Sequence, residues 1–263
     1  DLHSFPTRRS SDLVLRARVE NEGIFAVADA FLDLAVSETE YWIDSRIQYS
    51  DAYQKAAQAQ EFGEYPRKLM TALNDAQIEG WENLRKKRKQ AHAGIVEGLG
   101  FSEADGAAYM KLLTEIDNVW EGFYRDKRAE YLKVQAITDN MSKGRPEVWQ
   151  AFQEESNSKY SAAAEREVEL QAQLYQVFLD SYQRATGQDA GELNAVFETM
   201  TATRKEMIAL QNEAHAHITE QAGSKDYVSL TASYEEKFHP RYNELIERLY
   251  QSVEELEIGR AHV

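Results

Sequence analysis

The chain has no cysteine among its 263 residues. That excludes disulfides, thiolate zinc sites, iron–sulfur clusters and covalent c-type haem attachment within it. It also leaves the compartment open, because a cysteine-free chain suits oxidising and reducing surroundings equally. Proline is scarce, with four residues, so long stretches carry no helix breaker. β-Branched residues are sparse and no run alternates with period two, which predicts strand content close to nil.

No apolar run reaches the length of about 20 residues that a bilayer span requires. The nearest, residues 24–36 (IFAVADAFLDLAV), is interrupted by Asp29 and Asp33, and its pattern predicts a buried helix. A helical pore-forming toxin would need a hydrophobic hairpin long enough to insert, and the chain lacks one. Also missing are a Gly-x-Ser-x-Gly elbow, a His-Glu-x-x-His zinc motif and a phosphate-binding loop. The expectation is therefore a non-catalytic protein without a cofactor. Positive charge is in deficit, with 30 Lys and Arg against 45 Asp and Glu and a formal net charge of −15. Such a field repels polyanions, which argues against nucleic acid or direct membrane insertion and leaves a protein partner or self-association.

The two ends read differently from the rest. Residues 3–13, HSFPTRRSSDL, resemble a frame translation of a common short-read sequencing adapter, and residues 258–263, IGRAHV, resemble the opposite adapter. On this reading residues 1–13 and 258–263 are non-native. Residues 14–257 are then a metagenomic fragment of a longer bacterial protein, and form the helical-bundle region. Setting aside Asp1, Arg8, Arg9, Asp12 and Arg260 moves the net charge from −15 to −16. The histidines that remain for chemistry are His92, His215, His217 and His239.

Punctuation by Gly, Pro and small polar residues falls at 62–66, 98–102, 140–146, 186–189 and 222–225. The segments between these breaks are far longer than the ordinary helix of about 11–12 residues, as in bundles and coiled coils. Ser102 with Asp105 resembles an N-cap with an acidic third position, and Pro146 stands where a first-turn proline is tolerated. Gly100, Gly187 and Gly223 stand where a left-handed helix C-terminus is expected. Pro240 is expected to kink or break the last helix near His239.

Apolar residues recur at helical spacing in every segment. Tyr160, Ala164, Val168, Tyr175, Phe178 and Tyr182 make one such face, flanked by Leu170, Leu174 and Val177. Leu193, Val196, Phe197, Met200, Met207, Leu210 and Ala214 make a second, and Tyr234, Phe238, Leu245, Leu249, Val253 and Leu256 a third. Phe31, Leu34, Ala35, Trp42, Tyr49, Tyr53 and Ala56 do the same near the start. Faces of this width bury against neighbours. The predicted fold is all-α: an elongated antiparallel bundle of about six long helices in three consecutive hairpins, 14–61 with 65–98, 102–140 with 145–187, and 189–222 with 225–257. It forms one elongated domain or two stacked sub-bundles. Folding the first hairpin about Gly63 sets Trp42 opposite Leu84, at a height similar to Trp81. The equal spacing of Trp42, Trp81 and Trp120 lacks matching flanks, so it reads as one large aromatic per helix rather than a solenoid repeat.

Two constellations invite a functional reading. The first is Glu213, His215 and His217 with Glu236 and His239. Glu236-Lys-Phe-His239 has the Glu-x-x-His spacing of carboxylate-bridged di-iron bundles, but those need two such motifs and further glutamates. A turn near Gly223 sets His217 opposite position 230 and His239 opposite position 208, an axial offset of about 13 Å. One ion cannot join both histidines, so Glu213, His217 and Glu236 stay weak metal candidates and a hydrogen-bonded core histidine is the plainer reading of His217. The second is the run Arg85-Lys86-Lys87-Arg88-Lys89, a possible interaction patch. Five consecutive helical residues wrap the axis, so the run is expected to contact acidic neighbours such as Glu165, Glu167 and Glu169 or a partner's acidic surface. Arg125 to Arg128 reads likewise.

The leading expectation is a non-catalytic helical-bundle scaffold or protein-interaction module. The first alternative is an extracytoplasmic ligand-sensing helical domain of a membrane receptor, on segment count and length. The second is a carboxylate/histidine metal-binding bundle.

Overall fold

A computed structural model describes residues 26–35, 64–139, 146–221 and 227–261. Among these residues there are six helices and no strand. We number them α1 (residues 26–35), α2 (Glu64–Gly98), α3 (Glu103–Asp139), α4 (Pro146–Thr186), α5 (Gly191–Gln221) and α6 (Tyr227–Ala261). The boundaries of α2 to α5 lie within two residues of the expected ones; α6 starts two residues late and continues past residue 257.

Local chemistry explains the ends. The Leu99 and Gly100 turn closes α2 with Gly100 at φ +69°, the Phe101 N–H donating to the Val96 carbonyl and the Gly100 N–H to that of Glu97. This is a Schellman closure, and its positive φ favours glycine. Ser102 then caps α3: the Asp105 N–H donates to Ser102 Oγ at 3.1 Å, meeting one of the unpartnered first-turn donors. Gly187, also at φ +69°, ends α4, and Pro146 opens it. Gly223 lies outside the described residues.

From α2 to α6 successive helices run antiparallel, as two cross-helix contacts in each pair show. Asp75 pairs with Arg128 and His92 with Tyr109 between α2 and α3. Asp105 pairs with Arg184, and Tyr131 meets Phe152, between α3 and α4. Tyr160 bonds Gln211, and Tyr175 stacks on Phe197 at 4.1 Å, between α4 and α5. Glu206 pairs with Arg248, and His217 bonds Ser233, between α5 and α6. The described helices thus form one antiparallel series, in which α4 packs on α5 as well as on α3.

Helix α1 enters the middle of this series. Phe31 places its ring edge-on to Phe178 and Phe197, each at 4.8 Å, and against His92 at 5.7 Å. Burial of Ala26, Val27, Ala28, Phe31 and Leu32 agrees with a helix whose apolar run serves the core. The faces expected on α4 and α5 are buried, with Tyr160 and Val177 at the edge. Trp42 and the rest of the first stripe lie outside the described residues. Trp81 meets Tyr124, which also touches Trp120, so an aromatic cluster joins α2 to α3.

Pro240 does not break α6, which is helical on both sides of it. Glu236, His239, Pro240 and Arg241 are exposed, so the carbonyl that loses its N–H partner can turn to water. No described helix is long and apolar enough to cross a membrane.

Candidate functional site

The polar chemistry of the interior comes from residues that occupy core positions of the helical repeat. On α2 the inward stripe runs Trp81, Arg88, His92, Ile95 and Leu99, all buried, so Arg88 is the member of the basic run that turns inward. On α3 Asp117 falls between Leu113 and Trp120, and on α4 Glu167 falls between Ala164 and Leu170; these too are buried. Arg204 follows Met200 by one turn on α5, its side chain 16% exposed. Steps of three and four residues bring each charge onto an apolar face.

The four charges form a chain across four helices. The Arg88 guanidinium pairs with the Asp117 carboxylate and reaches Glu167 Oε1 at 4.0 Å. Arg204 donates to the other oxygen of Glu167 at 2.8 Å. Two cations and two anions cancel, as buried charges require. Burial pushes Asp117 above the usual carboxylate range, against the pull of Arg88. The loss of water around Asp117 therefore outweighs its ion pair, as is common for buried pairs.

One turn along α2, His92 Nδ1 lies 2.5 Å from the Tyr109 hydroxyl. Burial, and then the positive charge of Arg88, lower His92 to about 3, so the imidazole is neutral at pH 7 and Nδ1 can accept the phenol proton. Burial likewise holds Tyr109 well above the usual phenol range. A cavity of about 20 Å³ adjoins these groups, lined by Arg88, His92, Glu167 and Gln171 with Phe31 and Tyr175 among its apolar walls. That volume suits about one water molecule.

The residues singled out from the sequence lie elsewhere. Glu213 is exposed and paired with Arg241 at 2.6 Å and Lys237 at 3.3 Å; its hydrogen bond from Arg241, above all, holds it below the usual range. His217 is half-buried, with Nε2 3.0 Å from Ser233 Oγ and its ring edge-on to Phe238. Ser233 stands three residues beyond the expected partner position. Glu236 and His239 are exposed, and the His215 side chain lies outside the described residues. Among the described residues, no three His, Asp or Glu side chains gather as a metal site would require.

The basic run divides. Arg85 pairs with Glu121 at 2.8 Å and covers the Trp81 ring; Lys86, Lys87 and Lys89 are exposed; Arg88 is buried. Of the acidic neighbours expected for the run, Glu167 is in reach, while Glu169 pairs with Arg166 on its own helix. The residues missed beforehand are His92, Tyr109, Asp117 and Arg204. Their signal was a charged or polar residue breaking an apolar stripe at a core step. No family model matches the chain, and searches of curated proteins and of solved structures find no match either.

Proposed function

We propose that this chain is a non-catalytic helical scaffold or protein-interaction module that works through its exposed helix faces. One observation supports this above others: the described interior is filled by apolar and aromatic side chains, its charges answer one another, and the cavity beside them suits a single water. Of the basic run, Lys86, Lys87 and Lys89 are exposed on α2 and offer contact to an acidic partner surface, whereas Arg88 belongs to the core.

Sedimentation of the purified chain over a concentration series, together with metal analysis and thermal shifts against small-molecule libraries, tests the reading. The expected result is association that grows with protein concentration and is weakened by Lys86→Glu/Lys89→Glu. Stoichiometric metal that disappears in His217→Ala would favour the metal-binding reading instead. A small molecule that raises Tm in a saturable way would favour ligand sensing.

A further inference from the structure

We infer that the chain of charges Asp117–Arg88–Glu167–Arg204 is a register lock, which sets the axial alignment of α2, α3, α4 and α5 at some expense of stability. The geometry carries this. Each charge comes from a different helix, each sits at a core step of its stripe, and Glu167 is shared between Arg88 at 4.0 Å and Arg204 at 2.8 Å. Apolar stripes on long helices tolerate sliding, because one Leu or Ala substitutes for the next at little cost. A buried charge does not, since a slip of one turn separates each ion from its counterion inside the core. Setting register is the best-attested use of buried polar groups in helical assemblies.

The rest of the α4–α5 seam keeps the same alignment. Tyr160 bonds Gln211 and Ser161 bonds Asn212, each at 2.7 Å, in step with Glu167 and Arg204. Those rungs join α4 to α5 alone; the buried polar contacts of α2 are those of Arg88 and the His92–Tyr109 bond, beside the exposed pairs Asp75–Arg128 and Arg85–Glu121 with α3. The network thus adds a buried polar link between the α2–α3 pair and the α4–α5 pair, beside the α3–α4 contacts of Asp105 with Arg184 and Tyr131 with Phe152.

The absence of cysteine makes the test direct. Gln90→Cys on α2 and Lys205→Cys on α5, both exposed positions, take spin labels for distance distributions by pulsed electron resonance. They are measured in the otherwise unchanged chain and in the variant Arg88→Met/Asp117→Leu/Glu167→Leu/Arg204→Met. The expected result is a Tm within about 3 °C of the parent or higher, with a broadened or multi-peaked distance distribution. Glu167→Leu alone, which leaves two arginines facing one carboxylate, is expected to lose more than about 6 °C. A quadruple variant with an unchanged narrow distribution overturns the proposal. So does a quadruple variant that unfolds or is less stable than Glu167→Leu, since the network would then be a source of stability rather than of alignment.

Discussion

His92 shows how much one position depends on what surrounds it. Its neighbours in sequence, Ala91 and Ala93, suggest nothing unusual, yet it is buried between Phe31, Tyr109 and Arg88. The consequence is a pH dependence of definite sign. The unfolded chain takes up this proton near pH 6.5 and the folded chain only near 3. The stabilisation is therefore full above pH 6.5 and is lost as pH falls towards 3, on the order of 3 kcal/mol between pH 7 and pH 4. Asp117 acts in the opposite sense: its folded pKa is raised above 3.8, so its contribution is full below 3.8 and is lost as pH rises through the folded value. Comparing urea unfolding at pH 7 and pH 4 for the parent and His92→Gln separates the two. The variant keeps a partner for Tyr109 and is expected to lose about 3 kcal/mol less on acidification; equal losses would place the histidine in contact with water.

Within single helices, Gly122 and Pro240 stand against local propensity. Gly122 lies inside α3, and a Cβ built there meets nothing within 4 Å. Gly122→Ala is therefore expected to stabilise by about 1 kcal/mol, read as a rise in urea midpoint with unchanged slope. Pro240 lies inside α6 with exposed neighbours on both sides. Pro240→Ala restores a backbone hydrogen bond and is expected to add about 2 kcal/mol. A loss of stability in that variant would mean that the proline shapes the contact of α6 with α5. Helix boundaries and caps were readable at this level because they rest on neighbours in sequence: Ser102 with Asp105, Gly100 and Gly187. The pairing of His217 with Ser233 was not, because register across a connection depends on how many residues the turn consumes.

The molecule as a whole carries a net charge of −15, while many of its surface cations are already paired, as Arg85, Arg128, Arg184 and Arg248 are. Such exposed pairs contribute about 0–1 kcal/mol each and weaken with salt. Repulsion among the unbalanced carboxylates weakens too, and with this excess it is the larger effect. Tm is expected to rise between low salt and 0.3 M sodium chloride, where the Debye length has fallen to about 6 Å. A fall would show that ion pairs dominate the surface.

Helix content and the apolar faces followed from residue order alone. A 3.6-residue period is a local property, and Leu193, Val196, Phe197 and Met200 declare their common face without reference to any other helix. Arg88, Asp117, Glu167 and Arg204 stand at the same helical steps, but residue order neither marked them as core charges nor brought them together. Arg88 and Glu167 are joined only when α3 holds α2 and α4 on one core, and Glu167 and Arg204 only when α4 and α5 pack. Burial, counterion choice and the neutral state of His92 arise from that packing, because each depends on which distant side chains exclude water.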